Sequence, residues 1–341
     1  MTHIRNLIFL LPIFHFAFIC AETDPLPSWN EGPAKSALLK FIKDTTEEKS
    51  QAYVPPEKRY AAFDQDGTLW VEQPFYVQLF FTIDRIKSLA VDHPEWQVEE
   101  PFKSILEGNQ EVLSQLTEPY LEKIISVTHS GMTVDAFHEI VRRWIHTAIH
   151  PKFKVPFTAL VYQPMLEVLQ FFSDHGYKNY IFSGGGQEFI RAYASEVYKI
   201  PPERIVGSTA KVKYTYKDGN PTLVKQPDLL FIDDHQGKVE NINLFLGQRP
   251  GAAFGNSSGD QQMLEWTQAG KGLNLEVLIH HDDAEREYLY GENSKIGQFT
   301  EALMEEAKKR EWIIVSMKKD WKILFPFQII SSVDSPKIFS R

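Results

Sequence analysis

Arg59-Tyr60-Ala61-Ala62-Phe63-Asp64-Gln65-Asp66-Gly67-Thr68 is the stretch on which the fold turns. A short apolar run, Arg59 to Phe63, stops at two acids, a glycine and a threonine. Such a run bounded by turn formers reads as a buried strand entering a loop. Downstream, Tyr180 to Phe182 ends in Ser183-Gly184-Gly185-Gly186, and Ala252 to Phe254 ends in Gly255-Asn256-Ser257-Ser258-Gly259-Asp260. Leu229 to Ile232 and Leu275 to Ile279 are further short apolar runs. Helical patterns separate several of them: Pro164 to His175, with proline at its start and Gly176 at its stop, and Gln187 to Tyr198. Val212 to Tyr216 and Thr222 to Val224 flank Asp218-Gly219-Asn220-Pro221, the signature of a β-hairpin.

Strand–helix alternation predicts an α/β fold with a doubly wound, mainly parallel sheet. Residues 74–150 interrupt it. They carry apolar positions at helical spacing, as in Pro74 to Ala90 and Thr133 to His150, and read as a helical cap inserted after the first core strand. The expected organisation is a core of residues 22–73 and 151–327, a cap of 74–150 and a tail of 328–341.

Residues 1–21 read as a cleaved signal peptide. Arg5 supplies a positive start, Leu7 to Cys20 is mostly apolar, and Glu22 to Asp24 turns polar. Pro12 and His15 interrupt the apolar stretch, which is short for a span, so no stable membrane insertion is expected after cleavage. An uncleaved anchor and a lipid on Cys20 are the other readings. Export to the periplasm or the medium follows. Cys20 is the single cysteine, so neither an internal disulfide framework nor a cysteine zinc cluster is available. The chain has 341 residues, 43% hydrophobic and 24% charged, which excludes wholesale disorder. Its net charge of −9 argues against general nucleic-acid binding.

In an open parallel sheet, ligands bind along the edge where the strands' carboxyl ends lie. Asp64 and Asp66, Ser183, and Asn256 with Asp260 all follow apolar runs. If those strands are neighbours, these groups converge.

Phe63-Asp64-Gln65-Asp66-Gly67-Thr68 resembles the first motif of the haloacid dehalogenase-like (HAD) phosphatases. Ser183 is similar to their second motif, Lys238 to the third, and Asn256 with Asp260 to the fourth. The resemblance spans residues 57–270 and points to the phosphoserine-phosphatase-like branch with a helical cap. Exported members of that branch, phosphorylcholine phosphatases among them, have a similar layout.

The resemblance implies that Asp64 is a nucleophile forming an aspartyl-phosphate, a role open to a carboxylate. It implies that Asp66 protonates the leaving oxygen and then activates water. Dehalogenating members lack an acid there, so Asp66 favours phosphomonoester hydrolysis. Ser183 and Gly184 would bind phosphate oxygens at a helix start. Lys238 would neutralise phosphate charge. Lys211, Lys213 and Lys225 compete with it but lie in or beside the hairpin. Mg2+ would be held by Asp64, the main-chain carbonyl of Asp66, Asn256 and Asp260. Related phosphatases have aspartate where this chain has Asn256.

An EF-hand loop also contains Asp-x-Asp-Gly, but with Gly67 at its sixth place the first is Ala62 and the twelfth Gln73. Trp70, Glu72, Gln73 and Tyr76 follow the first motif as substrate-specificity candidates, able to hold a cationic head group or simply to pack. His280-His281-Asp282-Asp283 and Asp233-Asp234 are open between roles in the cleft and helix capping. The expected activity is hydrolysis of small phosphorylated metabolites. Phosphoryl transfer to an alcohol and non-catalytic phosphate or metal binding are the alternatives.

Overall fold

The computed structural model describes residues 23–108 and 118–329. The signal segment, Cys20, residues 109–117 of the expected cap and positions 330–341 of the expected tail lie outside them.

Seven strands form one sheet in the order β4-β3-β2-β1-β5-β6-β7. They are β1 Tyr60–Phe63, β2 Lys178–Gly186, β3 Ile205–Lys217, β4 Asn220–Phe231, β5 Ala252–Gly255, β6 Leu275–His280 and β7 Ile313–Ser316. All neighbouring pairs are parallel except β3 with β4. β1 is central, and Phe63 lies in register with Ile181 on one side and Phe254 on the other.

Because side chains alternate along a strand, the sheet feeds two cores. Ala61, Phe63, Ile181, Phe254 and Val277 pack with Phe41 of helix Pro33–Thr46 and Phe172 of helix Gln163–Asp174. Ala62, Phe182, Ala253 and Leu278 face Ile242, Met263 and Leu303 from the helices on the other side. The rings of Phe63 and Phe254 stack at 4.4 Å. Near-continuous apolar strands are what a sheet covered on both faces requires.

Between β1 and β2 the chain is largely helical. Helices Val77–Leu89, Phe102–Leu106 and Glu118–His129 contribute to a separate small core of Ile83, Ile86, Phe102, Ile105 and Ile124. Helix Val134–Thr147 is capped by Thr133, whose hydroxyl oxygen accepts from the Ala136 N–H at 3.1 Å. Its Phe137, Val141 and Ile145 join the main core instead.

The hairpin turns at Asp218 and Gly219, both with positive φ, as a two-residue turn demands. Its arms are longer than the sequence suggests. Leu229 to Phe231 is the end of β4 rather than a separate core strand, because it pairs back onto Thr209 and Ala210. The single helix expected from Gln187 to Tyr198 is two short ones, Gln187–Arg191 and Ala194–Val197. Among the described residues, no helix is long and apolar enough to cross a membrane.

Candidate active site

The neighbouring carboxyl ends of β2, β1 and β5 bring the first, second and fourth motifs together. The Asp64 N–H donates to the Phe254 carbonyl at 2.9 Å, which carries the β1–β5 pairing one residue further and fixes the first acid at the edge. Lys238 lies in helix Gln236–Leu246. Its Nζ donates to Asp64 Oδ1 at 2.6 Å and to Asp260 Oδ1 at 2.5 Å, and all three residues are buried. Asp260 Oδ2 accepts from the Asn256 and Ser257 N–H groups at 3.0 and 3.1 Å. Burial works against the Lys238 ammonium, but Asp260 and Asp64 outweigh it and its pKa is raised.

Asp66 is half-buried, and its Oδ1 accepts from Trp70 Nε1 at 2.7 Å. Burial pushes its pKa up to about 6, against the pull of that bond and of Lys238. Burial, together with the Asp260 charge, pushes Asp64 well above the carboxylate range despite Lys238. Ser183 is buried and its Oγ accepts from the Gly185 N–H at 3.1 Å. Gly184 lines the cavity above it.

Glu72 and Asn256 form an unexpected pair. Asn256 Nδ2 donates to Glu72 Oε1 at 2.6 Å, while Asn256 Oδ1 accepts from Thr68 Oγ1 at 3.2 Å. Burial, with the Asp66 charge adding, raises Glu72 well above its ordinary value. Glycine is required around this pair. A Cβ on Gly67, at φ 77°, would sit 2.1 Å from Asn256 Nδ2, and one on Gly297, at φ 61°, would sit 2.0 Å from Glu72 Oε1.

The remaining specificity candidates separate. Glu72 and half-exposed Tyr76 line a cavity of about 420 Å³ that opens over Asp64 and Asp66. Trp70 does not reach it, since its ring is fully buried and stacks on Tyr193 at 5.0 Å. Gln73 turns away as well, donating to the Ile296 carbonyl at 3.0 Å. His281 is structural here: its Nε2 donates to the Gly67 carbonyl at 2.7 Å and its Nδ1 faces Glu287 Oε2 at 3.2 Å. Asp282 accepts from the Ser316 hydroxyl and the Lys318 N–H, and Asp283 pairs with Arg286. His280 packs on Phe299. Asp233 is buried and accepts from Asn241 Nδ2 at 2.8 Å, whereas Asp234 lines the cavity.

Three lining residues carried no signal of their own in the sequence: Gln78, His129 and Lys225. Lys225 is in the hairpin, as its sequence position implies, yet the hairpin arm runs past the cavity and buries it. Lys211 and Lys213 are exposed.

The donors fit a hard divalent cation. They are oxygens throughout: the Asp64 carboxylate, the Asp66 carbonyl and the Asn256 side-chain carbonyl. Four acids, Asp64, Asp66, Glu72 and Asp260, gather here with one ammonium, Lys238, which bonds to Asp64 and Asp260 alone, and this excess of carboxyl groups suits a cation. Among the described residues, no three His, Cys, Asp or Glu side chains are arranged to hold a metal by themselves. Asparagine and main-chain oxygens are therefore needed to complete a shell.

No protein-family model matches the chain, and no curated protein does. Among solved structures it is similar to a functionally unknown protein from Anaerococcus prevotii, with 15% identity, coverage of 82% of this chain and 97% of that one, and a TM-score of 0.51. It is also similar to a protein of unknown function from Bordetella pertussis, with 16% identity, coverage of 76% and 98%, and a TM-score of 0.45. Cytosolic 5'-nucleotidase IIIB bound to cytidine matches with 12% identity, coverage of 83% and 84%, and a TM-score of 0.43. Identities this low speak to fold and not to activity. With a central β1 ending in Asp64, parallel neighbours on both sides and a helical insertion before β2, the chain has a doubly wound, mainly parallel α/β fold.

Proposed function

We propose that this protein is a magnesium-dependent phosphatase of small phosphomonoesters that works through an aspartyl-phosphate. One observation carries the reading. Asp64 stands at the end of the central strand, bonded to a buried lysine, with Asp66 two residues on and a cavity above both.

In the first step an Asp64 oxygen attacks phosphorus. The new bond is the acyl phosphate, and the bond to the leaving alcohol breaks. Asp66, protonated, gives its proton to that alcohol's oxygen. In the second step the Asp66 carboxylate takes a proton from water. The water oxygen attacks phosphorus and releases Asp64 and inorganic phosphate. Trp70 holds Asp66 in place through its Nε1–H. Lys238 keeps positive charge beside Asp64 as phosphate arrives, and Ser183 with Gly184 receives phosphate oxygens. Magnesium, held by Asp64, the Asp66 carbonyl and Asn256, would supply charge neutralisation on the phosphoryl oxygens. Asp260 orients Lys238 and the Asn256 main chain through its two carboxylate oxygens, and it would complete the cation's surroundings beside Asn256.

We also propose that residues 74–150 act as a cap that sets the substrate, and that residues 1–21 direct export. The apolar run before Glu22 supports export.

A panel of phosphomonoesters with magnesium present tests the activity. Release of phosphate, with a phosphorylated protein trapped by acid quench, is the expected result. No release from any member by folded protein would overturn it. Transfer to an added alcohol in preference to water would point to a phosphotransferase.

A further inference from the structure

The cavity has two ends. One is the Asp64 edge. The other is walled by side chains of helix Val77–Leu89, helix Glu118–His129 and β4, among them Leu79, Ile124 and Leu229. Gln78, His129 and Lys225 are set into that second end, and the first two are satisfied. Gln78 Oε1 accepts from the Gly186 N–H at 2.7 Å, and its Nε2 donates to His129 Nε2 at 3.1 Å. His129 Nδ1 faces the Thr128 hydroxyl at 2.6 Å, and burial, helped by Lys225 and Arg85, pushes its pKa down to about 3, so the imidazole is neutral.

Lys225 is different. It is 6% exposed and lines the cavity. Among the described residues its Nζ has no hydrogen-bond acceptor and no ion pair, only the face of Phe137 at 4.6 Å. Burial pushes the Lys225 pKa down, and Glu188 opposes this only in part, its carboxylate being taken up by His138 at 2.6 Å and Arg191 at 3.0 Å. An ammonium has three donors, and burying them without acceptors is unfavourable. The position is also fixed. The Lys225 N–H donates to the Met132 carbonyl at 2.9 Å, and its own carbonyl accepts from the Gly131 N–H at 2.9 Å. A rigid backbone, an aromatic face behind the ammonium and an open cavity in front describe a preformed site for one anion.

We infer that Lys225 is a specificity-determining residue that receives a second anionic oxygen group, a carboxylate, on the alcohol portion of the substrate. The inference rests on the phosphatase reading for what occupies the Asp64 end. One ammonium matches one carboxylate. A second phosphate would bring nearly two charges into a largely apolar wall with one cation to meet them. The preferred substrates are then phosphomonoesters of hydroxy acids of a length that spans the cavity, over those of simple alcohols.

The test is a homologous series of ω-carboxyalkyl phosphates beside the matching alkyl phosphates and alkanediol bisphosphates, assayed with wild type, Lys225→Met and Lys225→Arg. The readout is the ratio of kcat/KM for the carboxyalkyl to the alkyl ester, which a general loss of activity does not move. Wild type should favour the carboxylate, chiefly through KM. Lys225→Met should reduce the ratio about 10- to 100-fold, the range of a charge-assisted hydrogen bond, and Lys225→Arg should retain part of it. A ratio near unity in wild type, or one that survives Lys225→Met, overturns the inference. A larger preference for the bisphosphates overturns the choice of carboxylate. If wild type turns over no member, the phosphatase reading fails. Calorimetry with the free ω-hydroxy acids then decides the Lys225 site, with binding by wild type and not by Lys225→Met supporting it and equal behaviour of the two overturning it.

Discussion

Asn256 and Glu72, 184 residues apart, meet through one 2.6 Å hydrogen bond in which the amide donates and the carboxylate accepts. The amide at position 256 is therefore not a weakened aspartate. It is the neutral partner that lets Glu72 stay next to Asp64 and Asp66 without a fourth facing charge.

Asn256→Asp should destabilise the metal-free protein, because two carboxyl groups would then face each other at hydrogen-bond distance. The expected loss is about 1–3 kcal/mol, the range for a buried group deprived of its partner. Added magnesium should restore much of it, and the variant should bind magnesium more tightly than wild type by calorimetry. Unchanged unfolding of the metal-free variant would mean that Glu72 does not depend on the Asn256 donor.

Asp64→Asn should lose more than about 10³-fold in turnover while the protein stays folded, since an amide does not form the acyl phosphate. Lys238 keeps Asp260 as a partner in that variant, so the site remains closed. Near-normal turnover in a sample free of deamidation would refute the nucleophile.

Asp66→Asn should slow hydrolysis of esters with poor leaving groups by about 10²- to 10⁴-fold. Burial pushes Asp66 up to about 6, so its acid form is lost as pH rises through that value and kcat/KM for such esters should fall above it. The Trp70 bond favours the charged form. Trp70→Phe should move that limb to higher pH, and paired pH profiles check the direction.

Glu276 lies on β6 away from the cavity, with Oε1 buried and unpaired. Burial raises its pKa to about 7 from an ordinary value of 4.5. A raised folded-state carboxyl pKa means that the folded state binds more protons, so stability falls as pH rises from about 4.5 through 7. Glu276→Gln should remove this slope, raising the unfolding midpoint at pH well above 7 and having little effect well below 4.5. Urea titrations across pH measure it, and parallel curves for the two proteins would count against it.

Export predicts that the full chain expressed in a bacterium appears outside the cytoplasm without its first 21 residues or so. Mass spectrometry of the purified protein decides this. An intact Met1 in the cytoplasm would refute the reading, and a lipid on Cys20 would favour an anchored form.

Local sequence determined the strands that carry the chemistry. Arg59 to Phe63 and Ala252 to Phe254 are short apolar runs bounded by turn formers, and a strand buried on both faces has little other way to be written. Asp64 and Ser183 directly follow such runs and Asp260 lies six residues beyond one, so they share an edge provided that the strands are neighbours, and that adjacency came from the tertiary structure. The strand at Ile205 and the one at Ile313–Ser316 were not legible. The first is continuous with an exposed hairpin arm whose polar pattern masks it, and the second is four residues long between charged helices. Tertiary structure alone decided the rest of the site. Trp70, Glu72 and Tyr76 are near neighbours in sequence, yet one is enclosed, one bonds across to Asn256 and one borders the cavity. Lys225 shows the same limit from the other side. Lysines beside a hairpin are ordinarily solvated, and nothing local distinguishes Lys225 from Lys211 or Lys213. What differs is that the β4 arm passes helix Glu118–His129 and the Gly131–Met132 turn, and those distant residues exclude water from one lysine and not from the others.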